Sequence, residues 1–77
     1  MKLEIISTNE IMYSGEVESV TLPGVAGKFT VLKNHASLIS VLKPGEVKFS
    51  NGCLETRIEI KGGLADIDMN KISVCVY

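Results

Sequence analysis

The sequence predicts an all-β fold, a small antiparallel β-sandwich or flattened barrel with little or no helix. Apolar and polar residues alternate at period two along most of the chain, which is typical of strands with one face against a core. Turn-forming residues recur at short intervals between these stretches. No segment long enough for a capped helix carries the apolar spacing of an amphipathic helix.

Length and composition limit the chain to one small folded domain. It has 77 residues, of which 45% are hydrophobic and 22% are charged, so we expect a single domain over residues 1–77. The formal net charge is −1 and aromatic residues make up 5%. The sequence therefore has no run of basic residues that could bind a row of phosphates, and few aromatic residues on which bases could stack. Both features disfavour nucleic acid as a partner and an oligonucleotide-binding barrel as the fold.

The first predicted strand lies around Ile5, and a turn at Thr8-Asn9-Glu10 follows it. The next segment, residues 11–22, is long for one strand. Its apolar residues change parity between Val17 and Val20. This change predicts a bulge or a strand that crosses between sheets.

The middle of the chain alternates between turns and strands. In order, these are a loop bracketed by Pro23-Gly24 and Gly27, a strand opened by Phe29 and Val31, a turn at Lys33-Asn34-His35, a strand over Leu38 to Leu42, and a turn at Lys43-Pro44-Gly45.

Asn51-Gly52 is the clearest turn signal, because both positions accept a positive φ and the pair is favoured in two-residue hairpins. The residues expected to face the core on the two flanking strands are Val47, Phe49, Leu54, Thr56, Ile58 and Ile60.

Two more strands are predicted at the end of the chain. Gly62-Gly63 permits a bend or bulge before them. The residues expected to face the core on these strands are Ala65, Ile67, Ile72, Val74 and Val76. Met69 has the same parity as Ala65 and Ile67, and it also begins the turn Met69-Asn70-Lys71 that we expect to connect the two strands. Cys53 and Cys75 form no metal-binding motif, and we expect both to be reduced packing residues.

The sequence offers little material for catalysis, so we expect no catalytic residue, no metal and no cofactor. His35 is the single histidine, and no nucleophile or orienting carboxylate can be assigned to it by spacing. A turn or interface role is the simpler interpretation. Asp66 and Asp68 share one strand face, which favours a solvated surface over a metal site that would need more oxygen ligands. Phosphate-loop motifs do not occur.

One alternative function is a swinging-lysine carrier of the biotinyl or lipoyl type, in which Lys71 would be modified. Asp68-Met69-Asn70-Lys71 places this lysine near a tight turn. However, Asn70 precedes it and Ile72 follows it, and neither carrier pattern has these neighbours. An ordinary polar turn residue is the preferred interpretation.

The N-terminal segment does not resemble a secretory signal, because a charge interrupts its apolar run. The uncharged apolar stretches also fall far short of the roughly 20 residues that a membrane-spanning helix needs. We therefore expect the chain to stay in the compartment where it is made.

Several motifs together resemble the epsilon subunit of F-type ATP synthases, and the resemblance covers the whole chain. They are Glu16-Val17-Glu18-Ser19-Val20-Thr21, Leu22-Pro23-Gly24, Gly27-Lys28-Phe29, Val31-Leu32, His35-Ala36-Ser37-Leu38-Ile39, Leu42-Lys43-Pro44-Gly45 and Gly62-Gly63-Leu64-Ala65-Asp66.

This resemblance implies a non-catalytic β-sandwich subunit of the central stalk. Such a subunit binds the gamma subunit and the c ring and helps to couple proton flow to ATP synthesis. It would lie peripherally at the cytoplasmic face of the inner (cell) membrane, without inserting into it and without a small-molecule substrate. By position, Gly27, Lys28 and Phe29 resemble the loop that faces the c ring. The positions that resemble gamma-facing ones are His35, Ser40 and Lys61.

The chain also departs from the family pattern. Lys28 stands where members often carry an acidic residue, so a c-ring contact there would need a complementary charge on the facing loop. Lys33-Asn34 and Ser37 stand where Pro-Gly and Pro are frequent. Typical members continue into two C-terminal helices, whereas this sequence ends at Tyr77. We therefore expect the helical domain to be absent, either because the subunit is naturally short or because the sequence is a piece that ends at the domain boundary.

An exposed apolar patch would be the expected mark of the gamma interface. The segment from Leu38 to Leu42 has apolar residues on both parities, so one of its faces is expected to contribute to such a patch.

Overall fold

The period-two pattern produces strands throughout the chain. A computed structural model describes residues 1–8 and 10–77, and these residues form nine strands and no helix. In chain order the strands are β1 Lys2–Ser7, β2 Glu10–Glu16, β3 Ser19–Gly24, β4 Gly27–Leu32, β5 Leu38–Leu42, β6 Gly45–Ser50, β7 Glu55–Ile60, β8 Gly63–Asp68 and β9 Lys71–Val76. The predicted all-β fold is confirmed.

The strands form one sheet that curls into two layers. Its order is β2-β1-β9-β8-β5-β3-β6-β7, with β4 paired to β3. Between β5 and β3 only Gly24 and Leu42 pair, so the sheet turns a corner there. A five-stranded layer (β2, β1, β9, β8, β5) thus packs on a four-stranded layer (β4, β3, β6, β7). Among the described strands, β1 and β9 are the one parallel pair.

The core lies between the two layers and receives alternate residues from both. Fully or nearly fully buried side chains come from the five-stranded layer and the connection after it, namely Leu3, Ile5, Val17, Leu42, Ala65, Ile67, Ile72, Val74 and Val76. The four-stranded layer contributes Val20, Leu22, Val31, Val47, Phe49 and Ile60. Each large aliphatic side chain buried in this way stabilises the fold by about 1.5 to 3 kcal/mol.

The parity change in residues 11–22 marks a crossing between the layers. β2 ends at Glu16 and β3 begins at Ser19, so the segment is two strands. At the crossing, the amide of Val17 donates to the carbonyl of Met1 at 2.8 Å, and the amide of Glu18 donates to the carbonyl of Ser50 at 2.7 Å. These bonds tie the connection to one strand of each layer. The predicted turn at Thr8-Asn9-Glu10 includes Asn9, which lies outside the described residues.

The two-residue hairpin is not at Asn51-Gly52. Four residues, 51–54, separate β6 from β7, because the Asn51 side chain accepts bonds from the amides of Cys53 and Leu54 at 3.0 and 2.9 Å. This Asx-type turn widens the loop. The tight hairpin joins β3 to β4 instead, where Gly24 pairs with Gly27 across a two-residue turn.

Two predicted core positions are wrong, and so is the expectation that both cysteines are packing residues. Leu54 is 70% exposed in the β6–β7 loop, and Thr56 is exposed near the start of β7. Met69 is 58% exposed and forms the β8–β9 turn together with Asn70, at a φ of +52°, so the turn predicted there is confirmed at these two residues. Cys75 is free but exposed, as is Cys53 in the β6–β7 loop, because strand parity points Cys75 away from the core. Within the described residues, no helix has the length and apolarity needed to cross a membrane.

Replacing Ile60 by Ala should destabilise the protein by about 2 to 5 kcal/mol, because it removes buried methyl groups from between the layers and leaves a cavity. Leu54→Ala is the matched control, since it truncates an exposed aliphatic side chain and should change stability by less than about 0.5 kcal/mol. Urea unfolding of both variants measures the difference. Equal losses would show that Ile60 does not face the core.

Candidate interaction surface

The three residues predicted to face the c ring lie at the tip of the β3–β4 hairpin. Gly27, Lys28 and Phe29 open β4 directly after the turn at Val25 and Ala26. Gly27 adopts a φ of +136°, a conformation that an L side chain rarely takes. The Lys28 side chain is exposed, whereas Phe29 is half-buried and packs against the core. The hairpin tip is therefore anchored at its base and presents a cation to solvent.

Ser40, predicted to face gamma, lies close to this hairpin tip. A groove of about 540 Å³ is lined by both the hairpin tip, including Gly27, Lys28 and Phe29, and the β5 segment that contains Ser40. The hairpin is fastened to β5 by a bond from the amide of Val25 to the carbonyl of Val41 at 3.0 Å. The structure thus brings four of the six predicted residues to one groove.

His35 and Lys61 line neither this groove nor its rim. His35 is half-buried in the loop between β4 and β5, where its amide donates to the carbonyl of Leu32 at 3.2 Å and its Nδ1 lies 2.6 Å from the carbonyl oxygen of Ala36. Lys61 is exposed in the connection between β7 and β8, beside Gly62.

An apolar row crosses the outer face of the five-stranded layer. The pairing registers place its five members side by side, one from each strand: Val41, Leu64, Cys75, Ile6 and Ile11. Four of them are exposed, and Ile6 is half-buried. Ile39, which is 67% exposed, extends the apolar surface along β5. An apolar surface that runs continuously across a sheet is typical of a protein-binding face.

The predicted patch on β5 is thus confirmed, but its continuation on four other strands was not predicted. Leu64, Cys75, Ile6 and Ile11 are separated in sequence. Their alignment depends on the parallel β1–β9 pairing and on a register shift between Ile5 and Ile6. The alternation of apolar and polar residues along a strand predicts which face each side chain is on. It does not predict which strands lie next to each other in the sheet.

The outer face of the four-stranded layer is charged rather than apolar. Arg57 on β7 lies 3.4 Å from a carboxylate oxygen of Glu55 and 3.9 Å from one of Glu46, and Lys48 lies 3.8 Å from Glu55. All four side chains are substantially exposed. The two outer faces of this sandwich therefore differ in chemistry, and the apolar one is the better candidate for stable association with another protein.

The acidic, histidine and cysteine side chains are dispersed over the part of the chain that the structure describes. In the part of the chain that the structure describes, no three His, Cys, Asp or Glu side chains are grouped so that they could hold a metal ion. Asp66 and Asp68 are exposed, and Asp68 accepts a bond from the Ser37 hydroxyl at 3.2 Å.

Lys71 is not at the tip of a hairpin. Met69 and Asn70 form the turn, whereas Lys71 is the first residue of β9 and pairs in register with Asp68 and Lys2. A swinging lysine needs a projecting position, so the geometry gives the carrier alternative no support.

Comparison with known proteins gives the family. Residues 1–77 match the family described as "ATP synthase, Delta/Epsilon chain, beta-sandwich domain". The chain is 44% identical to an ATP synthase epsilon chain of Campylobacter jejuni, over 96% of this chain and 58% of the relative. It is 41% identical to one of Nitratiruptor, over 99% and 60% of the two chains.

A solved structure has the same fold. A chain of the Euglena gracilis mitochondrial ATP synthase, determined by cryo-EM as an assembly of OSCP, F1 and c-ring, superposes with a TM-score of 0.90 at 21% identity, over 96% of this chain and 48% of that one. At this identity the likeness concerns the fold alone. The chain spans about three fifths of the length of the two bacterial relatives. With the family match over its whole length, the chain belongs to the β-sandwich domain family of ATP synthase delta and epsilon chains.

Proposed function

We propose that this chain is the β-sandwich part of a central-stalk subunit of an F-type ATP synthase. In this role it binds the gamma subunit and the c ring, helps to couple proton flow to ATP synthesis, and has no catalytic activity of its own. It lies peripherally at the cytoplasmic face of the membrane. Family membership supports the assignment, and the apolar row on one outer face is the observation that carries the binding proposal.

The apolar row suits the gamma subunit, because a stalk contact must persist through rotation and therefore needs a stable interface. Five neighbouring strands at a spacing of about 4.8 Å give a row roughly 19 Å long. Val41 is 55% exposed and Leu64 is 45% exposed, so both leave apolar area that a partner could cover. Ser40 precedes Val41 on β5 but has the parity of the inner face, since it pairs with the buried Ala65. In this proposal Ser40, His35 and Lys61 lie at the periphery of the gamma contact and not within the apolar row.

The hairpin tip suits a polar partner such as the loops of a c ring. Lys28 projects there with no carboxylate within 4.0 Å among the described residues, so its ammonium group is available to a carboxylate on a facing loop. Rim charges of this kind determine register and association rate more than total affinity. Gly27 and Phe29 fix the direction of the tip through the tight turn and the core contact.

The two-layer body suits the transmission of torque. Among the described residues, fifteen apolar side chains are buried and fill the space between the layers. Close-packed interiors transmit strain with little deformation. Partners on the apolar row and at the hairpin tip would thus be coupled through a stiff element.

Leu64→Asp should weaken capture of the gamma subunit at least about tenfold, because it places a charge within the apolar row, and a partner that covers the row would have to remove water from that charge. The test is affinity purification of the tagged chain from cells of the source organism, with gamma quantified by mass spectrometry. Leu54→Asp is the matched control, since it makes the same substitution at an exposed leucine outside the row, and it should capture gamma normally. Circular dichroism melting must show that both variants fold. Equal capture by folded Leu64→Asp would contradict the proposed interface.

Lys28→Glu should weaken binding to the c ring about tenfold at low salt, because it replaces the attractive charge at the hairpin tip with a repulsive one. Binding of the chain to purified c ring in detergent, followed by microscale thermophoresis, measures the change. Lys71→Glu is the control, since it reverses an exposed lysine at the start of β9. If Lys28→Glu bound the c ring with unchanged affinity, or if Lys71→Glu lost as much affinity, the proposal that the hairpin tip binds the c ring would be contradicted.

A further inference from the structure

A second groove lies on the charged outer face of the four-stranded layer, away from the apolar row. It has a volume of about 520 Å³ and opens between the hairpin tip, the turn before β6, and the middle of β6 and β7. Four cationic side chains line it: Lys28, Lys43, Lys48 and Arg57. One carboxylate, that of Glu46, also belongs to its lining.

The pairing register concentrates positive charge in this groove. Lys48 and Arg57 are direct partners across β6 and β7, and like charges in such positions are unfavourable. Glu55 lies within 3.8 Å of Lys48 and 3.4 Å of Arg57, but exposed pairs of this kind offset little of the repulsion. A second anion, bound beside Lys48 and Arg57 in addition to Glu55, would relieve the remaining repulsion.

The other two cations have no ionic partner. Among the described residues, no carboxylate lies within 4.0 Å of the ammonium group of Lys28 or Lys43. The four cations outnumber the nearby carboxylates, those of Glu46 in the lining and of Glu55 beside Lys48 and Arg57, by a formal charge of two. A charge of this size in a concave site attracts an anion that carries more than one negative charge.

The hydroxyl group of Thr21 belongs to the lining of the groove. Thr21 Oγ1 lies 2.9 Å from Thr30 Oγ1, and only one of these hydroxyls donates in that bond. When Thr30 is the donor, the hydroxyl of Thr21, which lines the groove, keeps its proton for a further acceptor. Gly45 lets the turn before β6 lie against Pro23, since a Cβ on Gly45 would come within 2.9 Å of the proline Cβ. The turn therefore holds Lys43 close to the strands.

We propose that this groove binds a phosphate-bearing anion. A phosphate group carries up to two negative charges and several acceptor oxygens, which matches a site with three ammonium groups, one guanidinium and a hydroxyl donor. Arg57 can engage two phosphate oxygens together. The same chemistry could come from a dissolved phosphate compound or from a phospholipid headgroup. The inference does not depend on binding to gamma or the c ring.

The test is a titration of the ¹⁵N-labelled 77-residue chain with inorganic phosphate at constant ionic strength, followed by NMR. Saturable shifts should appear at the amides of Thr21, Lys48 and Arg57. A parallel sedimentation assay compares vesicles of phosphatidylglycerol with vesicles of phosphatidylcholine. Saturation by inorganic phosphate supports a dissolved phosphate compound as the ligand, and cosedimentation with phosphatidylglycerol alone supports a lipid headgroup.

The decisive variant is Lys43→Ala combined with Lys48→Ala, which removes two cations from the groove and leaves Lys28 in place. Its affinity for the phosphate group should fall about tenfold, which corresponds to about 1.4 kcal/mol. Lys2→Ala with Lys71→Ala is the matched control, since it removes the same charge outside the groove and should bind normally. Equal loss in both double variants, shifts that are spread over all lysines, or no binding in either assay would overturn the proposal.

Discussion

The parallel pairing of β1 with β9 joins the two ends of the chain, and the rest of the structure depends on it. On the inner face this pairing places Leu3 beside Ile72 and Ile5 beside Val74, and all four side chains are fully buried. Without it the five-stranded layer would be split between β1 and β9, and the core would lose its cover on one side. Because the paired residues are about 70 positions apart, the layer closes only after β9 has been made.

The same pairing also builds the candidate interface. On the outer face it sets Ile6 beside Cys75, which connects the apolar residues of β5 and β8 with those of β2. One backbone register thus organises both the core and the apolar row. A substitution that disturbs the register would alter both surfaces together, since a shift by one residue exchanges the inner and outer faces.

Much of the fold was predictable because period two reports local parity. It identified the all-β class, the strands around Phe49 and Ile60, and the closing strand with Ile72 and Val74. Its errors lie at strand ends and turns. Leu54 follows the apolar alternation but is 70% exposed in the β6–β7 loop, and at Asn51 the side chain bonds the backbone and widens the expected hairpin.

The candidate site was predictable only in part. The β5 patch follows from local sequence, and Lys28 stands out as an unusual charge on a predicted loop. The apolar row depends on contacts between strands distant in sequence, such as Leu64 beside Cys75, and local alternation carries no information about these neighbours. The same holds for the cationic groove, because Lys48 and Arg57 meet only through the pairing of β6 with β7.

The two outer faces give the sandwich two distinct chemical surfaces. The five-stranded layer offers an apolar row to a partner protein, and the four-stranded layer offers exposed charges that remain compatible with water. This division of chemistry suits the proposed stalk role, in which one face binds a partner protein and the other remains in water. The hairpin tip lies where the layers meet, since Gly24 at its base pairs with Leu42 at the corner of the sheet.

The two free cysteines allow the most direct test of the central claim that the apolar row is covered by a partner. Cys75 lies within the row, whereas Cys53 lies in the β6–β7 loop, and both thiols are exposed in the chain alone. Alkylation with iodoacetamide should modify both in the isolated chain. In the assembled ATP synthase, the account predicts that Cys75 is protected while Cys53 still reacts. Equal modification of Cys75 and Cys53 in the assembled complex would contradict the account.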